Sequence, residues 1–468
     1  MINNIHNISK TYDTYIIFFC SDIDNTIKNT EKLLKIKVPS FIKKEFSGKR
    51  GEISSFNIDD SQYLLVGFNN NKCVDNYAFE VSSIIGKQIY NTKKKYLIIL
   101  NDFINSHISG IMQGLYKFTK YNNKKIYESH IDFYTNINSK YNINNIIKLN
   151  EIQYDIRDLV NEPVNILDSM EYLKRIRRSL SKYKNIKIKV LNEDKLKKLG
   201  LNLILSVNKG SDKPALLVVI EYINNKKDDN ICLVGKGVMF DTGGINIKTK
   251  NFYDMKIDMT GSAIVYGTIK ALAELNVKKN IIGILPLVQN DIGSSATHPG
   301  DIIKSYSGKT VEILDTDAEG RLILADGISY CKKYNPKMII DIATLTGHIS
   351  NVFGDLATGI FGNDHNLNQQ IIQCGLNENE KLWELPVWDE YREMTKSTIA
   401  DLKNISFNPA GSATAAAFLQ EFLPNSSIKW VHLDIAGVSY NLSDNKTKYE
   451  GATGEIFRTL VNYLSYDK

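Results

Sequence analysis

The sequence predicts an α/β protein with a smaller N-terminal α/β domain, followed by a C-terminal α/β domain with a central, mostly parallel sheet flanked by helices. In the C-terminal part, apolar runs without polar alternation are followed by segments with the apolar spacing of helices. Such runs are typical of strands buried on both faces of a parallel sheet. The chain also has 468 residues, which is too long for one ordinary core, so we expect two domains.

The elements follow from these patterns in chain order. Residues 1–148 contain strand-like runs such as YLLVGF and KYLIIL and form the predicted N-terminal domain. Residues 149–165 predict a linker helix that ends before Pro163, because the residue before a proline is pushed out of helical geometry. Residues 166–468 form the predicted C-terminal domain. Its strands and helices are expected in ALLVVIEY, ICLVGKGVMF, MTGSAIVYGTIKALAEL, NIIGILPLV, TVEIL, GRLILADGISYCKKY and KMIIDIATL.

Composition and charge restrict the classes of function. There are 58 basic and 52 acidic residues, a net charge of +6, and no dense basic stripe, so nucleic-acid binding has little support. We expect no secretion signal and no membrane span. Five widely spaced cysteines without a CxxC pair predict neither a disulfide framework nor a cysteine zinc site. The simplest interpretation is a protein of the reducing cytoplasm.

The segment LDTDAEGRLILAD, residues 314–326, places three acids within five residues. Counted from Asp315, it is close to a calcium-binding EF-hand loop, with Gly320 at the sixth position and Asp326 at the twelfth. An EF-hand loop lies between two helices, however, and the preceding TVEIL favours a strand. We expect Asp326 to belong to the following helix and to face away from the other acids. A calcium-binding protein that uses residues 315–326 is the alternative to a catalytic metal centre.

Polar residues gather where the predicted strands end, which is the edge at which α/β folds bind ligands. Carboxylates from separate segments can bridge two cations, a geometry that activates water and polarises a carbonyl group. None of the seven histidines lies at a metal-ligand spacing from another, so a hydrolase site here would use oxygen ligands and an amine. The polar residues at the strand ends are Lys236, Asp241, Lys248, Asp258, Asp317, Glu319 and Arg321.

Three segments together resemble the signature of the leucyl aminopeptidase family, the cytosolic dinuclear-metal aminopeptidases of peptidase family M17. They are VGKGVMFDTGGINIK (234–248), MKIDMTGSA (255–263) and DTDAEGRLILAD (315–326). Further matches extend over residues 155–460 and include NEPVN, HPGDIIKSYSGKTVEIL, DIATLTG, SATAAAFLQEF, WVHLDIAGV and GATG. The resemblance implies a metal-dependent hydrolase that releases N-terminal amino acids, with a leucine-like preference, from peptides with a free N-terminus.

The resemblance also assigns site residues by motif. Lys248 and Arg321 would be catalytic groups that are not ligands, and Arg321 would hold a bicarbonate ion that shuttles a proton. Two divalent cations per subunit are implied, Zn²⁺ and/or Mn²⁺, with Mg²⁺ or Co²⁺ as alternatives. The five implied metal ligands are Lys236, Asp241, Asp258, Asp317 and Glu319. The implied substrate-pocket positions are Met255, Thr344, Leu345, Gly347 and Ala452.

The resemblance further implies a homohexamer. Residues 1–148 would be a variable domain that is a candidate for subunit contacts, and residues 166–468 would be the catalytic domain. Some bacterial relatives combine peptidase activity with DNA binding, so an additional DNA-binding role is a second alternative.

Two positions depart from the family pattern. Asp315 stands where the family has asparagine, and it is expected either to tighten metal binding or to lose a hydrogen bond that the amide donates. His348 stands where the family has a small residue and is expected to alter the pocket or the subunit contacts. All five implied ligands are retained, so we expect activity.

Overall fold

The computed structural model describes residues 1–8, 11–20, 22–69, 74–135, 142–225, 227–250, 252–407 and 409–465. The chain divides into two compact units. The first comprises Met1–Glu151 and Leu442–Glu450, and the second comprises Ile152–Asn441 and Gly451–Lys468. Both units combine helices with a sheet in which most neighbouring strands are parallel, so the predicted α/β class is confirmed.

The first unit contains a six-stranded sheet in the order β1-β6-β5-β2-β4-β3, in which only β3 and β4 pair in an antiparallel direction among the described strands. The central strand β2 is buried along its whole length, as an apolar run without polar alternation predicts. The elements here are β1 (Ile2–Ile5), β2 (Thr14–Phe19), α1 (Ile23–Leu34), α2 (Ser40–Glu45), β3 (Ile53–Ile58), β4 (Ser61–Gly67), α3 (Asp75–Ile89), β5 (Lys95–Ile99), α4 (Ile104–Leu115), β6 (His130–Tyr134) and α5 (Ile143–Asn161), whose last residues belong to the second unit.

One feature of the first unit was not predicted from the sequence. Cys20, directly after β2, is disulfide-bonded. The cysteines are far apart in sequence, and separation along the chain does not reveal which side chains meet in the fold. Cys232, Cys331 and Cys374 are free.

The second unit supplies the rest of the elements. None of the helices in the described ranges combines the length and apolar character that crossing a membrane requires. Two 3₁₀ helices are also present, Phe252–Met259 and Cys331–Tyr334. The other elements are α6 (Ser169–Leu180), β7 (Ile186–Leu191), α7 (Glu193–Leu199), α8 (Asn202–Asn208), β8 (Leu216–Ile223), β9 (Asn230–Gly235), β10 (Gly237–Asp241), α9 (Thr260–Glu274), β11 (Asn280–Asn290), β12 (Ile302–Lys304), β13 (Thr310–Glu312), α10 (Gly320–Tyr330), β14 (Pro336–Ala343), α11 (Gly347–Phe353), β15 (Thr358–Gly362), α12 (His365–Asn377), β16 (Leu382–Glu384), α13 (Asp389–Glu393), β17 (Leu402–Lys403), α14 (Gly411–Gln420), β18 (Lys429–Asp434), β19 (Tyr440–Asn441), β20 (Gly451–Ala452) and α15 (Phe457–Ser465).

The large sheet of this unit has the order β16-β15-β18-β14-β9-β11-β8-β7, and β10 also pairs with β11. Its centre is parallel, because β14 pairs in parallel with β18 and β9, and β9 pairs in parallel with β11. Central strands such as β14 and β11 are buried at nearly every position. The parallel centre therefore brings four carboxyl strand ends to one edge.

The apolar run ICLVGKGVMF is two strands and not one. β9 ends at Gly235, β10 begins at Gly237, and Lys236 lies between them. The backbone N–H of Lys236 donates to the Ile342 carbonyl at 3.0 Å, which extends the ladder between β9 and β14. The break in the run places Lys236 at the carboxyl edge of the sheet.

Helix α9 packs closely against this break. A Cβ at Gly261 would lie 2.0 Å from the Ile342 carbonyl oxygen and 2.9 Å from the Lys236 nitrogen. We therefore expect Gly261→Ala to lower the free energy of unfolding by about 1–3 kcal/mol or more, since backbone atoms have to move. Chemical denaturation measures this. Gly347→Ala is the control, because a Cβ there meets no atom of the described chain within 4 Å, and equal losses for the two variants would contradict the prediction.

Candidate metal centre

The predicted ligands come from separate segments at the carboxyl edge of the large sheet. Lys236 lies between β9 and β10, and Asp241 is the last residue of β10. Asp258 lies near the end of the 3₁₀ helix that leads into α9. Asp317 and Glu319 lie in the turn between β13 and α10. The parallel strands β9 and β10 end at one edge of the sheet and place Lys236 and Asp241 there. The other three acids reach this edge from the 3₁₀ helix and from the turn after β13, a strand of the smaller sheet β12-β13-β17.

Lys236 is buried and contacts two of the acids. Its Nζ lies 2.7 Å from Asp258 Oδ1 and 2.8 Å from Glu319 Oε1. The same nitrogen donates to the Thr344 carbonyl at 2.8 Å. Gly320 leaves the space that Lys236 fills, since a Cβ there would lie 2.6 Å from Nζ. The Lys236 side chain thus contacts three other segments of the protein, at Asp258, at Glu319 and Gly320, and at Thr344.

Lys248 contacts the remaining two acids. Its Nζ lies 2.6 Å from Asp241 Oδ2 and also contacts Asp317 Oδ1. Asp241, Asp317 and Glu319 each offer one carboxylate oxygen, and these three oxygens lie within 4.8 Å of one another. The structure therefore brings together all five predicted ligands and the predicted catalytic Lys248.

The donor set fits divalent cations. Asp241 and Glu319 are each 2% exposed, and buried carboxylates need cations or hydrogen bonds to offset the loss of water. Asp258 Oδ2 is buried and, within the described ranges, has no hydrogen-bond partner. Four carboxylates and two lysines leave the ionised cluster with a net negative charge. Carboxylate oxygens and an amine nitrogen are ligands for ions such as Zn²⁺ and Mn²⁺.

Burial and mutual repulsion shift the protonation of these groups. Burial, reinforced by the Asp241 charge, raises the pKa of Asp317 to about 7. Burial also raises the pKa of Asp258, although Lys236 opposes it. Burial alone would lower the pKa of Lys236, but the charges of Asp258, Glu319 and Asp241 outweigh it and raise that pKa. A cation that binds to the Lys236 nitrogen must therefore displace a proton.

Asn290 orients Asp241, a contact that the sequence patterns did not indicate. Its Nδ2 donates to Asp241 Oδ1 at 2.7 Å and to the Thr316 carbonyl at 3.0 Å. Thr316 Oγ1 donates to the Gly243 carbonyl at 2.6 Å and accepts from the Asn246 N–H at 2.9 Å. An asparagine at the end of a strand carries no spacing signal, so only the fold identifies it.

Asp315 accepts a backbone hydrogen bond beside the cluster. Its Oδ1 accepts from the Asp317 N–H at 2.8 Å, as an asparagine carbonyl would. Burial lowers the pKa of Arg321 to about 10, while the charges of Glu319 and Asp315 oppose the decrease. The extra carboxylate therefore favours the charged form of Arg321, a residue that is only 8% exposed.

Asp326 faces away from the acids, as expected from its place in α10. Its Oδ2 accepts from the N–H groups of Leu203 at 2.8 Å and Ile204 at 3.2 Å, in the first turn of α8. Its Oδ1 accepts from the Tyr306 N–H at 2.8 Å. The twelfth residue of the EF-hand-like pattern thus caps a helix, so the calcium-binding alternative is not supported.

Comparison with known proteins identifies the family. Residues 155–461 match the model of the cytosol aminopeptidase family, catalytic domain. A probable cytosol aminopeptidase of Thioalkalivibrio sulfidiphilus is 44% identical over 310 residues, which are 66% of this chain and 61% of that protein. The cytosol aminopeptidase of Rickettsia prowazekii is 35% identical over 503 aligned positions, with 99% of each chain covered.

The chain belongs to the cytosol aminopeptidase family. This is a family of metallo-exopeptidase hydrolases, which confirms the resemblance seen in the motifs. The match to the Thioalkalivibrio protein spans less than two thirds of that relative's length. A solved structure of the bottromycin maturation enzyme BotP in complex with Mn has a TM-score of 0.86 and 26% identity, and covers 97% of this chain and 99% of that chain. The comparisons give no support to a DNA-binding role.

The five positions predicted for the substrate pocket fall into two groups. Thr344 and Leu345 follow β14, and Gly347 is the first residue of α11. Thr344 Oγ1 donates to Asp258 Oδ1 at 2.7 Å. Met255 lies in the 3₁₀ helix that carries Asp258, and Ala452 lies in β20. The first group directly contacts the predicted ligands through Thr344.

Asn161 forms hydrogen bonds at or next to the other two predicted pocket positions, Met255 and Ala452. Its Oδ1 accepts from the Ala452 N–H at 3.0 Å, and its carbonyl accepts from Nζ of Lys256, the residue after Met255, at 2.9 Å.

His348 is exposed and lies against Gly411, where a Cβ would be 2.4 Å from the His348 Nδ1. His348 thus fills space that a larger residue at position 411 would occupy.

Proposed function

We propose that this chain is a metal-dependent aminopeptidase that releases N-terminal amino acids from peptides, with a preference for leucine-like residues. The observation that carries the proposal is the convergence of Lys236, Asp241, Asp258, Asp317 and Glu319, with Lys248 in contact with two of them. Membership of the cytosol aminopeptidase family supports the same activity. The proposed substrates are peptides with a free N-terminus.

The five groups would hold two divalent cations per subunit. We propose Zn²⁺ and/or Mn²⁺, with Mg²⁺ or Co²⁺ as alternatives, and the Mn complex of BotP supports manganese. Asp241, Asp317 and Glu319, whose carboxylate oxygens lie within 4.8 Å of one another, would hold the ions together with Lys236 and Asp258. When bound, such a pair supplies Lewis acidity that lowers the pKa of water and polarises a carbonyl group.

Two cationic side chains would complete the chemistry. Lys248 would stabilise the negative charge that develops on the substrate carbonyl oxygen, because an oriented cation in a site with little water is effective there. Arg321 donates from Nη1 to the Asn404 carbonyl at 2.7 Å and would use other donors to hold bicarbonate as a proton shuttle. Its burial strengthens the attraction for an anion.

The substrate side chain would contact Met255, Thr344 and Ala452, while the backbone at Leu345 and Gly347 would bind the peptide near the scissile bond. We further propose a homohexamer in the cytoplasm. The cytosol aminopeptidase names of the relatives support that location. Residues 1–148 would form a separate domain available for subunit contacts, residues 149–165 the linker, and residues 166–468 the catalytic domain.

Peptide hydrolysis by the purified chain tests the activity. After removal of metals with a chelator, we expect release of leucine from Leu-amide and Leu-Gly-Gly only when Mn²⁺ or Zn²⁺ is returned. N-acetyl-Leu-Gly-Gly should remain uncleaved, because the free α-amine is part of what the site recognises. If the fully metallated protein cleaves N-blocked peptides and leaves a panel of free-amine peptides intact, the aminopeptidase proposal is wrong.

A further inference from the structure

Asn404 lies directly behind the turn that carries two of the proposed ligands. It follows β17, which pairs in parallel with β13, and its own N–H donates to the Glu312 carbonyl at 3.0 Å. Its side chain is fully buried. The backbone pairing of β13 and β17 therefore places the Asn404 side chain next to residues 314–318, the segment that follows β13.

The Asn404 side chain makes four hydrogen bonds to the segment 314–318, all to backbone groups. Oδ1 accepts from the N–H groups of Leu314 at 2.8 Å and Asp315 at 3.3 Å. Nδ2 donates to the carbonyls of Asp315 at 2.6 Å and Ala318 at 3.4 Å. One amide group thus replaces the ladder bonds where strand pairing ends and fixes the turn on both sides of Asp317.

The backbone of the same residue holds Arg321. The Asn404 carbonyl accepts from Arg321 Nη1 at 2.7 Å, so a single residue contacts the turn with its side chain and the arginine with its main chain. A shift of Asn404 would therefore move Asp317 and the Arg321 guanidinium together.

We propose that Asn404 is a positioning residue of the metal centre, which sets the place of Asp317 and Glu319 relative to Arg321. This inference rests on the proposed aminopeptidase function. Asn404 acts through the backbone of the turn and through Arg321, and not by binding metal or substrate itself. Residues that orient metal ligands typically alter metal affinity or activity about 10–100-fold when they are changed.

Asn280 provides a matched control at the opposite end of the sheet. It is the first residue of β11 and is 4% exposed. Its Oδ1 accepts from the N–H groups of Asn224 at 3.2 Å and Asn225 at 3.1 Å. Its Nδ2 donates to the carbonyls of Asn225 at 2.6 Å and Asp228 at 2.9 Å. Asn404 and Asn280 therefore use the same buried amide and the same number of backbone bonds, but only Asn404 adjoins the site.

The experiment compares Asn404→Ala and Asn280→Ala in the full chain. Isothermal titration with Mn²⁺ measures metal affinity, hydrolysis of Leu-Gly-Gly gives kcat and KM, and thermal unfolding gives Tm. We expect both variants to lose Tm to a similar extent. Asn404→Ala should also lose about 10–100-fold in Mn²⁺ affinity or in kcat, whereas Asn280→Ala should stay within about twofold of the wild type in both.

A second variant separates the contacts of Asn404. Asn404→Asp keeps an oxygen that accepts from Leu314 and Asp315 but places the other oxygen against two carbonyls, so it should show the same kind of defect. If both Asn404 variants match Asn280→Ala in metal affinity and kcat, the proposal is overturned. It is also overturned if neither Asn404 variant folds while Asn280→Ala does, since Asn404 would then serve the fold alone. A wild type that neither binds Mn²⁺ nor cleaves the peptide refutes the proposed function instead.

Discussion

Replacing Glu319 with glutamine is expected to abolish peptide hydrolysis and to remove bound metal. Glu319 is 2% exposed, lies 2.8 Å from Lys236 Nζ and shares the cluster with Asp241 and Asp317. Glutamine keeps the shape but removes the negative charge that faces the cations. Loss of a direct ligand should exceed the roughly 10–100-fold effect of changing a residue that only orients ligands. Metal content after dialysis, measured by elemental analysis, should fall by at least one divalent ion per chain.

Asp326→Asn is the matched control on the same helix. Asp326 is also a fully buried carboxylate, but it accepts backbone N–H groups from α8 and from Tyr306. The Asp326→Asn variant should have a lower free energy of unfolding than the wild type and the same metal content. If Glu319→Gln keeps its full metal content while Asp326→Asn loses metal, the ligand set is wrong and a calcium-type loop through Asp326 regains support.

The fold class could be predicted because buried parallel strands leave a clear pattern. Runs such as NIIGILPLV and KMIIDIATL are mostly apolar without polar alternation, and they form the central strands β11 and β14. The break at Lys236 could not be predicted in this way. β9 and β10 form one apolar run in the sequence. Both pair with β11 in the structure, and only β9 also pairs with β14.

The acids of the candidate site could be predicted because each lies in a distinctive motif, although Asp258 proves to lie in a 3₁₀ helix and not at a strand end. The asparagine side chains that hold these acids in place could not be predicted. Asn290 and Asn404 lie 49 and 87 positions from the acids Asp241 and Asp317 that they orient or support. Each is a single asparagine among many in this sequence, and hydrogen bonding to a distant backbone leaves no local pattern. Residues that position a site are therefore visible only once the chain has folded.

Replacing Lys248 with alanine is expected to abolish turnover while leaving most of the bound metal in place. Its Nζ lies 2.6 Å from Asp241 Oδ2 and contacts Asp317. Alanine removes the cation that would stabilise negative charge on the carbonyl oxygen. Removing one such group typically lowers kcat about 10²–10³-fold. The carboxylates remain and lose a competing cation, so they should still bind metal.

Lys270→Ala is the control for losing a partly buried, ion-paired lysine, since Lys270 of α9 pairs with Asp155 of α5. It should keep kcat and metal content within about twofold of the wild type. Measuring kcat and metal content on the same samples decides between two roles for Lys248. Low kcat with full metal content identifies a catalytic group, because the ligands are intact and only the added cation is missing. Loss of metal in Lys248→Ala would instead mean that Lys248 holds Asp241 and Asp317 in place, and its assignment as a catalytic residue would be wrong.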